Sequence, residues 1–163
     1  MSAYFHLRAV PPPALRNSTN WLRRLFDDDR DAVRHRVDRH REEVLDGRYP
    51  DHQLLYADAP PLSRESGPGA PVVLGGRPLY AGPRQPPFLV LTPAQTSRVA
   101  AFLAAADFEE LWRPARAALL PRYGGPAEES RTRASFASAH HDLTAFYTTT
   151  ARHGDAVVKW LLT

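Results

Sequence analysis

The last third of the chain is predicted to form a long amphipathic helix, a short turn that ends it and a strand. This unit constrains the fold more than any other feature of the sequence. Between Arg131 and Arg152 apolar side chains recur every three or four residues, as they do along one buried face of a helix. Gly154 can adopt the left-handed conformation that ends a helix. The segment 156–162 (AVVKWLL) then has the Val and Trp content of a buried strand. We therefore expect the helix to pack on a sheet that contains this strand.

The length and composition of the chain limit the types of protein to which it can belong. A chain of 163 residues favours a single domain, 1–163, with its own core. The sequence has no cysteine, which excludes a disulfide scaffold, a thiol nucleophile and any Cys-containing metal site. The longest apolar run, 99–106, is too short to cross a bilayer, and no export signal is visible. These features predict a cytoplasmic protein that does not enter the membrane.

The charge of the chain raises the question of nucleic-acid binding. The sequence has 21 basic and 18 acidic residues, and its net charge is +3. However, arginines alternate with acidic residues in segments such as 27–31 and 38–43, so no sustained positive block forms. This pattern is more typical of a solvated, ion-paired helix face. Nucleic-acid binding through surface arginines is therefore a third-ranked alternative, and it predicts an affinity that falls steeply with salt.

Periodicity along the chain predicts a mixture of strands and helices. Alternation or short apolar runs indicate strands near 3–10, 72–74, 88–91 and 156–162. Helices are predicted at about 17–26, 29–46, 93–106, 108–119 and 131–152. The Pro- and Gly-rich stretch at about 49–71 is interpreted as a long surface loop. The fold class is therefore α+β: a small mixed β-sheet with a single layer of helices on at least one face.

Capping residues define several predicted helix ends. Ser18 or Thr19 can cap the helix at 17–26. Thr92 can cap the next well-marked helix, where Gln95 completes a capping box, and Asp107 starts another helix in the same way. Pro114 lies well inside that second helix, so a kink or a restart is expected there.

Four segments carry a family resemblance. They are VLGGRPLYAG (73–82), FLVLTPAQTSRVAAFL (88–103), DFEELWRPA (107–115) and LTAFYTTTARHGDAVVKWLL (143–162). Together with the opening segment AYFHLRAV, they resemble the YfbM-like bacterial family, a domain of unknown function. The chain departs from the family pattern at 39–51, which lacks the usual aromatic residue and Leu-His pair, and at 122–125, which replaces the usual Tyr-Pro-Gly. The resemblance implies an α+β domain and brings no established activity, cofactor or catalytic set.

Histidines are the most evident candidates for chemistry. His140, His141 and Asp142 form the densest cluster, but adjacent helical side chains point about 100° apart and do not converge on one metal ion. His140 falls on the apolar face of its predicted helix, and His40 falls on a similar stripe of the helix at 29–46. Both are best interpreted as buried structural residues. If the two helices pack together, His40 and His140 can meet in a cleft near Arg77.

Three functions follow from these observations. The leading hypothesis is a non-enzymatic module that binds an unknown protein partner, and an exposed apolar patch ringed by arginines would support it. The alternative is a small-molecule-binding protein or enzyme with a cleft near His40, His140 and Arg77. Nucleic-acid binding is third. No catalytic, cofactor-binding or metal-binding set is predicted.

Overall fold

A five-stranded sheet forms the centre of the computed structural model, which describes residues 3–27, 30–57 and 67–163. The strands are β1 (Tyr4–Val10), β2 (Glu42–Leu45), β3 (Arg77–Leu79), β4 (Phe88–Leu91) and β5 (Ala156–Leu162). Their order across the sheet is β2-β1-β5-β4-β3. The strand predicted from AVVKWLL is therefore the central one.

All four strand pairs are antiparallel. The α+β class is confirmed, but the expected mixed sheet is wrong. Three helices, rather than the single helix of a parallel crossover, separate β4 from β5, and they return the chain to the sheet in the opposite direction.

Six helices within the described residues pack around this sheet. They are α1 (Thr19–Phe26), α2 (Arg30–Asp38), α3 (Tyr49–Tyr56), α4 (Pro93–Ala105), α5 (Phe108–Leu119) and α6 (Glu129–Arg152). Short 3-10 turns occupy Pro12–Arg16, Leu120–Tyr123 and Pro126–Glu128. α5 continues through Pro114, so the helix does not restart there.

The predicted helix caps are present. The Ser18 hydroxyl accepts a hydrogen bond from the Trp21 N–H, and Thr92 and Gln95 form a reciprocal capping box. Asp107 caps α5 through the Glu109 N–H. Gly154 ends α6 with a φ of +66°, in the left-handed region. These ends were predictable because a cap depends only on residues within one turn of it.

Two apolar cores lie on opposite faces of the sheet. On one face, side chains of α6 such as Phe136, Leu143 and Tyr147 are fully buried together with residues of α3, α4 and α5. On the other face, Phe26 of α1 packs against Phe88 and Trp160. Helices therefore cover both faces, with the thicker layer on the side of α6.

The helix predicted at 29–46 is wrong in its second half. α2 ends at Asp38, and His40 then adopts a left-handed conformation with a φ of +56°. The His40 N–H bonds to the Val37 carbonyl and the Arg41 N–H to the Arg36 carbonyl, the two hydrogen bonds of a Schellman motif. Residues 42–45 instead form the edge strand β2.

The segment predicted as a loop at 49–71 contains helix α3, whose side chains are largely buried. Residues 58–66 of that predicted loop lie outside the described residues. The strand predicted at 72–74 is also wrong. Val72 and Val73 are buried, but they lie in tight turns whose backbone is held by side chains: Gln53 bonds to Ala70 and Leu74, and Tyr147 bonds to Val72. The strand starts later, at Arg77.

Candidate functional site

The structure does not bring together the three residues predicted to share a cleft. His40 follows α2, next to the edge strand β2, and its side chain is exposed. Arg77 is exposed on β3, which is the opposite edge of the sheet. His140 is half-buried on the side of α6 that faces α3 and α5. The premise that His40 lies on a helical stripe is wrong, because the chain has already left the helix at that residue.

His140 makes structural contacts. Its Nδ1 lies 2.9 Å from the Tyr56 hydroxyl, and its ring centroid is 5.6 Å from that of Phe108. Burial, followed by the nearby His141, lowers the pKa of His140, which favours the neutral ring. A neutral imidazole that is hydrogen-bonded and packed between aromatic rings holds helices together.

A different cleft lies between β2 and α6, and we call it the β2–α6 cleft. Its volume is about 300 Å³. It is lined by residues of β2, of α3 and the turn before it, and of α6: Glu43, Val44, Leu45, Asp46, Arg48, His52, Ser135, Ser138, Ala139 and Asp142.

The strand register of the sheet and the helical period of α6 place the lining side chains so that they face one another across the cleft. Glu43 is opposite Leu7 of β1, whose side chain belongs to the core on the α6 side, so Glu43 faces the same helix layer. On α6 the lining residues are spaced i, i+3, i+4 and i+7, which places them along one face of the helix. They are Ser135, Ser138, Ala139 and Asp142.

Glu43 has an unusual electrostatic environment. Burial, the nearby carboxylate of Asp142 and the adjacent Glu42 raise the pKa of Glu43 to about 7, although the Val44 N–H donates to Glu43 Oε1 and acts in the opposite direction. At neutral pH the protonated and ionised forms of this carboxyl group are therefore both populated.

His52 lies on the buried side of the cleft. Its side chain is only 5% exposed, and its ring packs against Phe136 with centroids 4.6 Å apart. Burial lowers the pKa of His52 to about 4, so the ring is neutral near pH 7. Its Nδ1 has no hydrogen-bond partner in the part of the chain that the structure describes. A buried polar atom without a partner is uncommon in folded proteins and requires an explanation.

Arg48 is the cation at the rim of the cleft, and it already has several contacts. Its Nη1 donates to Ser135 Oγ at 3.2 Å, and its Nε lies 3.9 Å from Asp46 Oδ2. Its guanidinium also lies 5.2 Å from the centre of the Tyr123 ring. Across the described ranges, neither Glu43 nor Asp142 has an ion-pair partner. The cleft thus keeps two carboxylates without a counter-charge.

The described residues form at least two other concave regions. A larger one of about 630 Å³ lies between α3 and α5, where Ala57 and Gly67, the residues that flank 58–66, form part of its wall. A third of about 410 Å³ lies beside α5 and α6, where arginine and glutamate side chains neutralise each other in the pairs Arg116–Glu129 and Arg133–Glu109.

Residues 3–27, 30–57 and 67–163 contain no cluster of three His, Asp or Glu side chains placed to hold a metal ion. None of the helices described is both long and apolar enough to span a bilayer.

The residues predicted from the sequence lie close to the β2–α6 cleft in the chain but are not the ones that line it. The prediction was a cleft near His40, His140 and Arg77, whereas the lining residues Glu43 and Asp142 follow the two histidines by three and two positions. The polar, small-residue face of α6 was the available signal. It was missed because the facing strand β2 had been interpreted as helix.

Comparison with known proteins places the chain in a family. Its fold is similar to the crystal structure of YfbM from Escherichia coli, a protein of unknown function, with a TM-score of 0.60 over 99% of this chain and 100% of that chain. Sequence identity is 16%, so this match shows the fold alone. No curated protein sequence matches the chain. The sequence model of a domain of unknown function, DUF1877, matches residues 1–160. The resemblance seen in the sequence is thereby confirmed, and the chain belongs to the DUF1877 family.

Proposed function

We propose that the protein binds a small molecule in the β2–α6 cleft. The observation that carries this proposal is the buried Nδ1 of His52, which has no partner in the described chain although His52 lines a cleft rich in polar groups. Buried polar atoms are almost always hydrogen-bonded, and a ligand in the cleft would supply the missing bond. Polar groups that converge from separate elements are a general property of ligand sites.

The walls of the cleft are held rigidly, which favours a preformed site. β2 is paired with β1 over four residues, from Phe5–Leu45 to Arg8–Glu42. The adjoining face of α6, about 100° round the helix, is anchored in the core by fully buried side chains such as Phe136 and Leu143. A volume of about 300 Å³ is at the small end of the range for ligand pockets and suits a compact molecule.

The other predicted functions stay predictions. The interaction-module hypothesis, with an unknown protein partner, expected one exposed apolar patch ringed by arginines. The exposed large apolar side chains among the described residues, Tyr4, Leu54 and Tyr80, belong to three separate parts of the chain and do not by themselves define such a surface. Nucleic-acid binding gains no support from the rim arginine, because Arg48 is already in contact with Asp46 and Ser135. The cytoplasmic location predicted from the sequence also stays a prediction.

A blocking substitution tests the proposal. Ser138 is exposed on the wall formed by α6, so Ser138→Trp fills the cleft without entering the core. Ser97→Trp is the matched control, because Ser97 is exposed on α4 and is not part of the cleft wall. A library of small fragments of mixed charge is screened against the full chain by amide chemical-shift mapping.

We expect some fragments to shift the backbone amides of Val44 and Ala139, and we expect Ser138→Trp but not Ser97→Trp to abolish those shifts. The proposal is overturned if no fragment of any charge perturbs these amides, or if Ser138→Trp leaves the perturbations unchanged.

A further inference from the structure

The charges around the β2–α6 cleft indicate what kind of ligand it accepts. Three carboxylates line the cleft, Glu43, Asp46 and Asp142, against one guanidinium. Asp46 faces that guanidinium, which belongs to Arg48. The remaining two carboxylates stand on opposite walls, one on β2 and one on α6. They lie close enough for Asp142 to disfavour the ionised form of Glu43.

We infer that the ligand of the β2–α6 cleft is a small organic cation, a protonated amine or a guanidinium, whose positive charge is bound between the carboxylates of Glu43 and Asp142. This inference rests on the proposed function and adds the chemical class of the ligand. Two like charges across a cleft repel each other, and a cation between them converts that repulsion into two attractions. N–H donors also match the acceptor-only chemistry of ionised carboxylates.

His52 supplies a second observation at the same cleft. In the tautomer that carries its proton on Nε2, the Nδ1 atom accepts a hydrogen bond, and no described residue offers it one. An ammonium has three donors and a guanidinium has more, so such a ligand can satisfy His52 as well as the two carboxylates. An anionic ligand would have to approach two carboxylates with only Arg48 to compensate.

The inference is tested with probes of one size and different charge: n-butylammonium, the neutral 1-butanol and the anion butyrate. They are titrated into the full chain at pH 8, where Glu43 is mostly ionised because the pKa of Glu43 is about 7. Binding is followed at the amides of Val44 and Ala139. The proteins compared are the wild type, Glu43→Gln, Asp142→Asn and the control Glu110→Gln. The control removes one exposed carboxylate on α5, away from the cleft.

We expect n-butylammonium to bind at the cleft at least about tenfold more tightly than 1-butanol or butyrate. Glu43→Gln and Asp142→Asn should each weaken its binding about tenfold, equivalent to one ionic contact of about 1.4 kcal/mol. Glu110→Gln should leave binding unchanged. A melting curve for each variant shows that it is folded.

Two failures are distinguishable. If butyrate or 1-butanol binds the cleft as tightly as n-butylammonium, or if Glu43→Gln has no effect on n-butylammonium, the cation inference is wrong while the small-molecule site stands. If neither these probes nor the fragment library perturbs the cleft, both the inference and the proposed function are wrong.

Discussion

Glu43 and Lys159 lie in the same cross-strand row of the sheet, on either side of Leu7, and both side chains face the layer formed by α6. Because neighbouring strands are about 4.8 Å apart, the two residues leave the backbone roughly 10 Å from each other. Lys159 is fully buried, and its Nζ donates to the carbonyls of Pro71, Val72 and Gly75. The amine at the centre of the row is thus satisfied by the backbone, and burial lowers its pKa, whereas the carboxyl group at the edge of the row faces a cleft.

Replacing Glu43 should change how stability depends on pH. The pKa of Glu43 is raised to about 7 in the folded protein, from 4.5 in the unfolded chain, so the wild type loses stability as the pH rises through this interval. Glu43→Gln removes that loss. We expect the variant to gain roughly 1–2 kcal/mol relative to the wild type between pH 4 and pH 8, after allowing for solvent screening at the open cleft.

Urea unfolding at several pH values measures this effect. His52 gives the opposite slope, because the pKa of His52 is lowered to about 4 and stability falls as the pH drops from 6.5 towards 4. That contribution is present in both proteins and cancels in their difference. A difference that stays constant from pH 4 to pH 8 would contradict the account of Glu43.

Replacing Lys159 should loosen the turns at 67–75. Lys159→Met fills a similar volume but removes the buried amine that donates to the carbonyls of Pro71 and Gly75, which should cost about 1–3 kcal/mol of unfolding free energy. The loss should also be local. We expect faster hydrogen exchange at the Leu74 amide, which is held by Gln53 Oε1 at 2.8 Å.

Tyr147→Phe is the matched control for this prediction, because it removes one hydroxyl donor to the Val72 carbonyl and keeps the ring in the core. It should cost about 1 kcal/mol, and exchange at Leu74 should rise less than in Lys159→Met. Equal exchange rates at Leu74 in the wild type and in Lys159→Met would show that the lysine does not hold these turns.

How well the sequence predicts a structural feature of this protein depends on how close along the chain the residues that determine that feature lie. The cap at Thr92, the stop at Gly154 and the buried strand after it depend on neighbouring residues, and they were predicted correctly. The end of α2 was not, because a non-glycine residue, His40, takes the left-handed conformation there. Val37 and Val44 fit a helical period across that turn, although they lie on two different elements.

The candidate site depends on tertiary contacts and was less predictable. Glu43 reaches the cleft only because its strand pairs with β1 in a register that turns it towards α6. Val72 and Val73 predict a strand because they are apolar and β-branched. In the structure their segment forms turns, because Lys159 and Gln53, which are distant in the sequence, make hydrogen bonds to its backbone. Such long-range side-chain contacts leave no periodic pattern in the sequence.

Replacing His140 should affect stability and leave the cleft intact. His140→Asn removes the contact with the Tyr56 hydroxyl at 2.9 Å and the packing on Phe108, and it should cost about 1–3 kcal/mol. Thermal unfolding measures that cost. Fragment binding at the β2–α6 cleft should be unchanged, because His140 faces α3 and α5. Loss of fragment binding in a folded His140→Asn protein would instead favour the cleft predicted from the sequence.

Gly154 and Gly47 both have room for a Cβ but differ in backbone conformation, so their substitution tests conformational strain without a steric clash. A Cβ at Gly154 and a Cβ at Gly47 would each meet no atom within 4 Å. Gly154 has a φ of +66°, whereas Gly47 has no positive φ. Gly154→Ala should therefore destabilise the protein by about 1 kcal/mol, since alanine adopts the left-handed region at a cost. Gly47→Ala should be neutral or stabilising by up to about 1 kcal/mol, because alanine restricts the unfolded chain more than glycine does.

Urea unfolding of both variants tests this contrast. Equal losses in the two variants would mean that the left-handed backbone at Gly154 is not the cause of the loss, and an unchanged Gly154→Ala protein would mean that the end of α6 rearranges to relieve the strain.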